Sequence, residues 1–310
     1  MQVALAVRYP NGATILQEGA KAPMGGKNCV EVFFQKAQGN TPSGALAQAS
    51  TLVHECGHLY DQSLSQFGSH TYFVNSSTKF TCNGLSYQGA NAGFARSRIK
   101  GDGFDATWPP CAKFGDQGCD GYAPIYLSGN PDDSQFDSGD QGYDMLLEEV
   151  NQYVNSLVTD YTFADQQQWS VSAEDGILTL SWYMTRYLHM ARLKYPEAYN
   201  FLLNDACWRK STLTLWGRAW TYLDKSNGNG KLNLKGAMLR KLVAHPDLPW
   251  SVAAVEQRIG RVDRLGRDGE VPSWVLCADH DEAVDLAWTD VLDRAVGVFT
   301  TSSSGLEFVA

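Results

Sequence analysis

Residues 43–65 read SGALAQASTLVHECGHLYDQSLS, and the interpretation of the fold turns on this stretch. Ala45, Ala49, Leu52, Cys56, Leu59 or Tyr60, and Leu64 recur at helical spacing with a polar face opposite, which predicts a helix over about 43–65 with Gly68 as its stop. Upstream, residues 29–36 (CVEVFFQK) are rich in β-branched and aromatic side chains and predict a strand. From about 69 to 142, Gly, Asn, Asp and Pro dominate. That composition predicts a long, loop-rich insertion with short strands such as 122–127. Residues 143–160 (YDMLLEEVNQYVNSLVTD) return to helical periodicity, and further helices are predicted at 174–194, 196–204, 211–225, 232–244, 251–265 and 281–296. The expected architecture is α+β: an amino-terminal unit over 1–165, its first long helix packed on a small sheet, followed by a mainly helical lobe over 166–310.

Composition narrows the function classes. The chain has 310 residues, 44% hydrophobic, nine of them Trp, and only 19% charged, which describes compact globular material rather than a solvated tail. A net charge of −9 repels phosphate backbones and anionic lipid, so nucleic acid and membrane surfaces are poor partners. No run approaches the roughly 18 apolar residues of a membrane span. Residues 1–10 lack the basic and apolar regions of a signal peptide. Seven cysteines show no CxxC pair, which argues against a cysteine-built zinc site. Cys82, Cys111 and Cys119 fall in the loop-rich stretch, where a covalent tie is useful, and low Lys with many Trp, Tyr and Gly points to a secreted, extracellular protein.

Within the first helix, His54-Glu55-Cys56-Gly57-His58 has the HExxH pattern of zinc peptidases. At ~100° per residue, positions i and i+4 lie about 40° apart and one turn up, so two imidazoles can converge on one ion. Glu55 projects beside them, placed to take a proton from a water that zinc polarises. The apolar stripe through Leu52 and Cys56 lies about 200° from both histidines, so His54 and His58 face away from the scaffold and towards a cleft. Cys56 reads as a packed thiol rather than a ligand or nucleophile. Gly57 costs about 1 kcal/mol relative to Ala inside a helix, and close approach of a second helix would explain its presence. Asp61, on the histidine face, is expected to orient an imidazole behind the ligands. A solvated carboxylate and direct ligation are the alternatives, and ~10.5 Å of helix between His54 and Asp61 weighs against ligation.

HECGHLYD, followed later by the acidic pair in YDMLLEEVNQY, resembles the gluzincin peptidases, and the HExGHxxD form is similar to the anthrax lethal factor type. The similarity covers these two short segments. It implies a zincin-like catalytic unit over 1–165 with the motif helix as its active-site helix, zinc as cofactor, a protein or peptide substrate, a third ligand Glu from the second helix, and a Tyr upstream of that Glu. Tyr143 fits this last position as a hydrogen-bond donor to the oxyanion of the transition state, with a packed aromatic as the alternative. Helical phase chooses between the two glutamates. With Leu146 at 0°, Val150, Tyr153, Val154 and Leu157 span about −20° to 80°, Glu149 lands near −60° at the edge of that face, and Glu148 near 200°, towards solvent. Glu149 is therefore the expected ligand and Glu148 the alternative. His70 does not match a metzincin third histidine and reads as a loop residue. The competing class is a non-catalytic secreted binding or structural protein that keeps the metal helix as scaffold; an intact Glu55 speaks against it.

Two other signals are set aside. Residues 256–267 (EQRIGRVDRLGR) look like an arginine-rich helicase motif, but no phosphate-binding loop accompanies them and an amphipathic helix explains them. Asp132, Asp133, Asp137, Asp140 and Asp144 offer hard oxygen ligands at a density that could hold calcium (Ca2+). Their spacing fits no EF-hand, and a polar turn is the competing reading.

Overall fold

The computed structural model describes residues 1–85, 91, 93–129, 141–166, 173–230, 232 and 235–243. Among these, the chain is α+β, with a two-stranded sheet and eleven α-helices. The amino-terminal helices are α1 (Gln2–Arg8), α2 (Pro10–Gly19), α3 (Cys29–Phe33), α4 (Pro42–Leu46) and α5 (Ala49–Leu64). The hairpin β1 (Ser69–Asn75) and β2 (Thr78–Asn83) follows, then 3₁₀ turns at Arg96–Ile99 and Phe104–Ala106 and the short α6 (Ala123–Tyr126). The remainder is α7 (Tyr143–Thr162), α8 (Ala173–Lys194), α9 (Pro196–Asn204), α10 (Ala206–Ser226) and α11 (Gly236–Val243).

Several expectations need correction. Residues 29–36 begin as helix α3, not a strand: the Asn28 side chain accepts from the Glu31 N–H while the Glu31 carboxylate accepts from the Asn28 N–H, both at 2.9 Å. This capping box satisfies the first-turn donors and outweighs the strand preference of Val30, Val32 and Phe33. Residues 122–127 are likewise helical, with a proline in the first turn of α6. The helix expected over 43–65 is two helices, α4 and α5. Between them, Gln48 turns its amide onto Gln35, accepting from its N–H at 2.6 Å and donating to its carbonyl at 3.2 Å. The helix ends at Leu64, and Gly68, at φ +77°, makes the turn into β1. α10 starts five residues before the predicted 211, because Asp205 caps it by accepting from the N–H groups of Cys207 and Trp208. The helices predicted at 251–265 and 281–296, the arginine-rich segment and Cys277 lie outside the described residues. So do Asp132, Asp133, Asp137 and Asp140 of the proposed calcium stretch.

α7 lies at the centre, flanked by α5, α8 and α10, with β1 against it as well. One contiguous apolar cluster runs from Leu5 to Leu239, through Leu52, Tyr72, Leu146, Tyr183 and Trp208. The hairpin is antiparallel, pairing His70 with Cys82 and Tyr72 with Phe80, and β1 packs on α5. Disulfides join Cys29 to Cys56, Cys82 to Cys207 and Cys111 to Cys119. Cys56 is thus half of a bridge rather than a free packed thiol. Three disulfides are compatible with an extracellular location. No helix among the described residues is long and apolar enough to cross a membrane.

Candidate metal centre

The centre forms where α5 crosses α7, and Gly57 sets how closely the two approach. A Cβ at this position would stand 1.9 Å from Gln152 Oε1. The small residue that a close helix pair needs is therefore on the motif helix, and the large one is on its partner. With the helices at this separation, His54 Nε2 and His58 Nε2 lie 3.1 Å apart, and Glu149 Oε2 lies 3.6 and 3.5 Å from them. Four donors arranged tetrahedrally at about 2.0–2.1 Å from an ion are about 3.3 Å from one another, so the three atoms fit a zinc-sized cation without rearrangement.

The surroundings of each donor agree with that fit. His54 Nδ1 contacts Ser156 Oγ at 3.2 Å and His58 Nδ1 contacts Glu148 Oε1 at 2.9 Å, which leaves both Nε2 atoms facing the centre. Glu149 Oε2 is buried and makes no hydrogen bond of its own. Two imidazole lone pairs and a carboxylate oxygen facing one another repel unless a proton or a cation lies among them. Burial opposes charge on His58, but Glu149 and Glu148 more than offset it and hold its pKa well above the ordinary imidazole value. Burial would raise the Glu148 carboxyl, yet hydrogen bonds from His58 and His70 bring it down to about 2. Glu149 is held far below the usual carboxylate range, where His58 and His54 overcome its burial. His54, His58 and Glu149 are a possible metal-binding triad.

The other expected site residues fall differently. Glu55 is half-buried and makes no hydrogen bond or ion pair among the described residues. Glu148 does not face solvent: its side chain is 2% exposed, against 13% for Glu149. Its Oε2 contacts His70 Nε2 at 3.2 Å and its Oε1 accepts from Gln152 Nε2 at 3.0 Å. Asp61 is buried and makes no hydrogen bond or ion pair with an imidazole among the described residues. It accepts from the Phe73 N–H of β1 at 2.8 Å, from Asn151 Nδ2 at 3.2 Å and from Gln152 Nε2 at 2.9 Å, and the same Gln152 amide links it to Glu148. Tyr143 is buried with its ring against Tyr187 and its hydroxyl 3.1 Å from Thr212 Oγ1, a core placement. His70 is on strand β1, not in a loop.

Two tyrosines that the sequence offers only as a core position and as part of a predicted strand stand at the site. Tyr153 packs edge-on against His54, ring centroids 4.7 Å apart, and its hydroxyl lies 3.0 Å from that of Tyr126 on α6. The available signal was spacing, since Tyr153 is one turn beyond Glu149 on the same face of α7. No protein-family model, curated protein or solved structure matches this chain, so the assignment of its chemistry rests on the geometry and on the two short segments that carry the resemblance.

Proposed function

We propose that the chain is a zinc-dependent metallopeptidase acting outside the cell, with His54, His58 and Glu149 as ligands and Glu55 as general base. The observation that carries this reading is the convergence of three ligand atoms at 3.1–3.6 Å, one of them a buried carboxylate oxygen with no hydrogen bond. When bound, zinc supplies Lewis acidity, acidifying water and polarising an acyl carbonyl. Glu55 takes a proton from water at its free carboxylate and returns it to the leaving amine. Ser156 and Glu148 hold the two imidazoles by their Nδ1 atoms. The hydroxyls of Tyr126 and Tyr153, rather than Tyr143, are the donors at hand for an oxyanion. A peptide as substrate follows from the likeness to gluzincins, because the site itself offers only a place for a Lewis acid beside a carboxylate base.

The test is metal analysis of the purified chain together with cleavage of a denatured protein or a peptide library. One tightly held zinc per chain and chelator-sensitive cleavage are expected. Glu55→Gln keeps the zinc and lowers turnover at least ~10³-fold. A wild-type protein that takes up no zinc overturns the reading, and unchanged turnover in Glu55→Gln reassigns the base.

A further inference from the structure

The chemistry above employs Glu149 as a ligand and Glu148 as the group that holds the His58 ring, and it leaves His70 without a function beyond packing. Glu148 is buried, yet both its oxygens are engaged: Oε1 by His58 Nδ1 and Gln152 Nε2, Oε2 by His70 Nε2. A carboxylate anchored on one oxygen alone can turn about its terminal torsion, which is broad; engaged on both, it presents Oε1 to His58 in one orientation. The partner on Oε2 comes from outside the helix pair. His70 stands on β1, stacked on Tyr72 with ring centroids 4.6 Å apart and planes 22° from parallel. The Tyr72 hydroxyl donates to the Asp144 carbonyl at 3.0 Å, one turn before Glu148. The hairpin is thereby fastened to the amino-terminal turns of α7 at two points, and the His70 ring is fixed before it reaches Glu148. His70 is not in the ligand triad.

Resting on the metal reading above, we propose that His70 and Glu148 are a positioning pair, the hairpin histidine orienting Glu148 and Glu148 fixing His58 with Nε2 as its metal donor. The Nδ1–H of His58 is held by Glu148, so the Nε2 lone pair is presented to the ion in the geometry that His54 and Glu149 share.

The experiment measures zinc affinity by competition with a chromophoric chelator, and the visible spectrum of the cobalt(II)-substituted full chain, for wild type, the three variants His70→Phe, His70→Gln and Glu148→Gln, and Glu149→Gln as the ligand control. Phe keeps a ring on Tyr72 but donates nothing; Gln keeps an amide donor. His70→Phe is expected to weaken zinc about tenfold and to shift the cobalt bands, His70→Gln to recover most of the loss, and Glu148→Gln to weaken zinc about 10–100-fold. All three keep the wild-type circular dichroism and still bind one equivalent. A purely structural role for His70 moves the melting temperature but not the cobalt spectrum. Zinc affinity within twofold of wild type in His70→Phe, or equal losses in the Phe and Gln variants, overturns the proposal. If His70→Phe does not fold, a wild-type cobalt spectrum in Glu148→Gln overturns it instead. Glu148→Gln without metal beside a metal-loaded Glu149→Gln makes Glu148 the ligand and also overturns it. Failure of the metal reading is separate, because wild type then takes up neither zinc nor cobalt, and the pair has nothing to position.

Discussion

The two sides of α5 are held by opposite means. Towards α2 and α3 the contacts are close packing and a covalent bond: Cys56 is buried, the backbone of α2 at Gly19 lies against the Cys56 carbonyl, and Cys56 is bridged to Cys29. Towards α7 the contacts are polar, with His54 on Ser156, His58 on Glu148, and Asp61 on Asn151 and Gln152. Apolar packing is non-directional and gains with area, so it stabilises without fixing donor directions. Hydrogen bonds fix directions to within tenths of an ångström but add little net stability each. One helix thus separates the two tasks: the first side keeps it folded, and the second aims its histidines.

That division can be broken experimentally. The largest stability effect belongs to the bridge: opening a 27-residue link with Cys29→Ala and Cys56→Ala costs about 3–4 kcal/mol by the loop-entropy argument. Denaturant melts of the double variant read this, and zinc stoichiometry stays at the wild-type value. Lost zinc with unaltered stability inverts the assignment of the two sides.

Next comes pH. At the far end of the polar side, burial pushes the Asp160 carboxyl up to about 8 against an opposing hydrogen bond from Ser50. The folded state therefore keeps a proton that the unfolded chain releases near pH 4, so this group destabilises the fold progressively from about pH 4 to about pH 8. Asp160→Asn removes that penalty. The variant is expected to match wild type near pH 4 and to exceed it at pH 8 by on the order of a few kcal/mol, seen as diverging melting temperatures. Parallel curves would place the carboxyl at an ordinary pKa.

A smaller effect is expected of Gly57→Ala. Helix propensity favours Ala by about 1 kcal/mol, but its Cβ would displace the Gln152 amide that bridges Asp61 and Glu148. Net destabilisation of about 1–2 kcal/mol with weakened zinc binding is expected, and Gln152→Ala in the same chain relieves the clash. Independent, additive effects in that double-mutant cycle would remove the contact. The smallest is Tyr143→Phe, which loses the Thr212 hydrogen bond, about 1 kcal/mol, with kcat unchanged. A fall in kcat at full zinc content returns Tyr143 to the chemistry.

How much of this could be read beforehand depends on which forces leave a periodic trace. The helices α5, α7, α8 and α9 were readable because an apolar stripe repeats every 3.6 residues, and the HExxH spacing carried His54 and His58 with it. The same reasoning misplaced Glu148. It assumed that the face of α7 opposite the apolar stripe meets water, whereas Glu148, Asn151, Gln152, Asn155, Ser156 and Thr159 are all buried. A buried polar face has the composition of an exposed one, and only its partners distinguish the two. Residues 29–33 were misread for the reverse reason: their bulk suggested a strand, while the decisive signal was the short Asn28-x-x-Glu31 cap. The contact of His70 with Glu148 and the Cys29–Cys56 and Cys82–Cys207 pairings reach across 27 to 125 residues of chain, which local pattern does not encode.

The long reach of those contacts also orders the assembly of the site. The Arg218 guanidinium of α10 donates to Asn151 Oδ1, Asn155 Oδ1 and the Tyr9 hydroxyl, joining three segments spread over 209 residues. During synthesis His54, His58 and Glu149 have all been made some seventy residues before Arg218, which adds to the direct Tyr9–Asn155 hydrogen bond between the amino-terminal helices and α7 (218 − 149 = 69). Any ion captured by the nascent chain is therefore held by a helix whose polar side is still incomplete. Completing the polar side of the centre thus draws on contacts of long sequence separation, whose loop-closure entropy costs more than that of the local helical contacts.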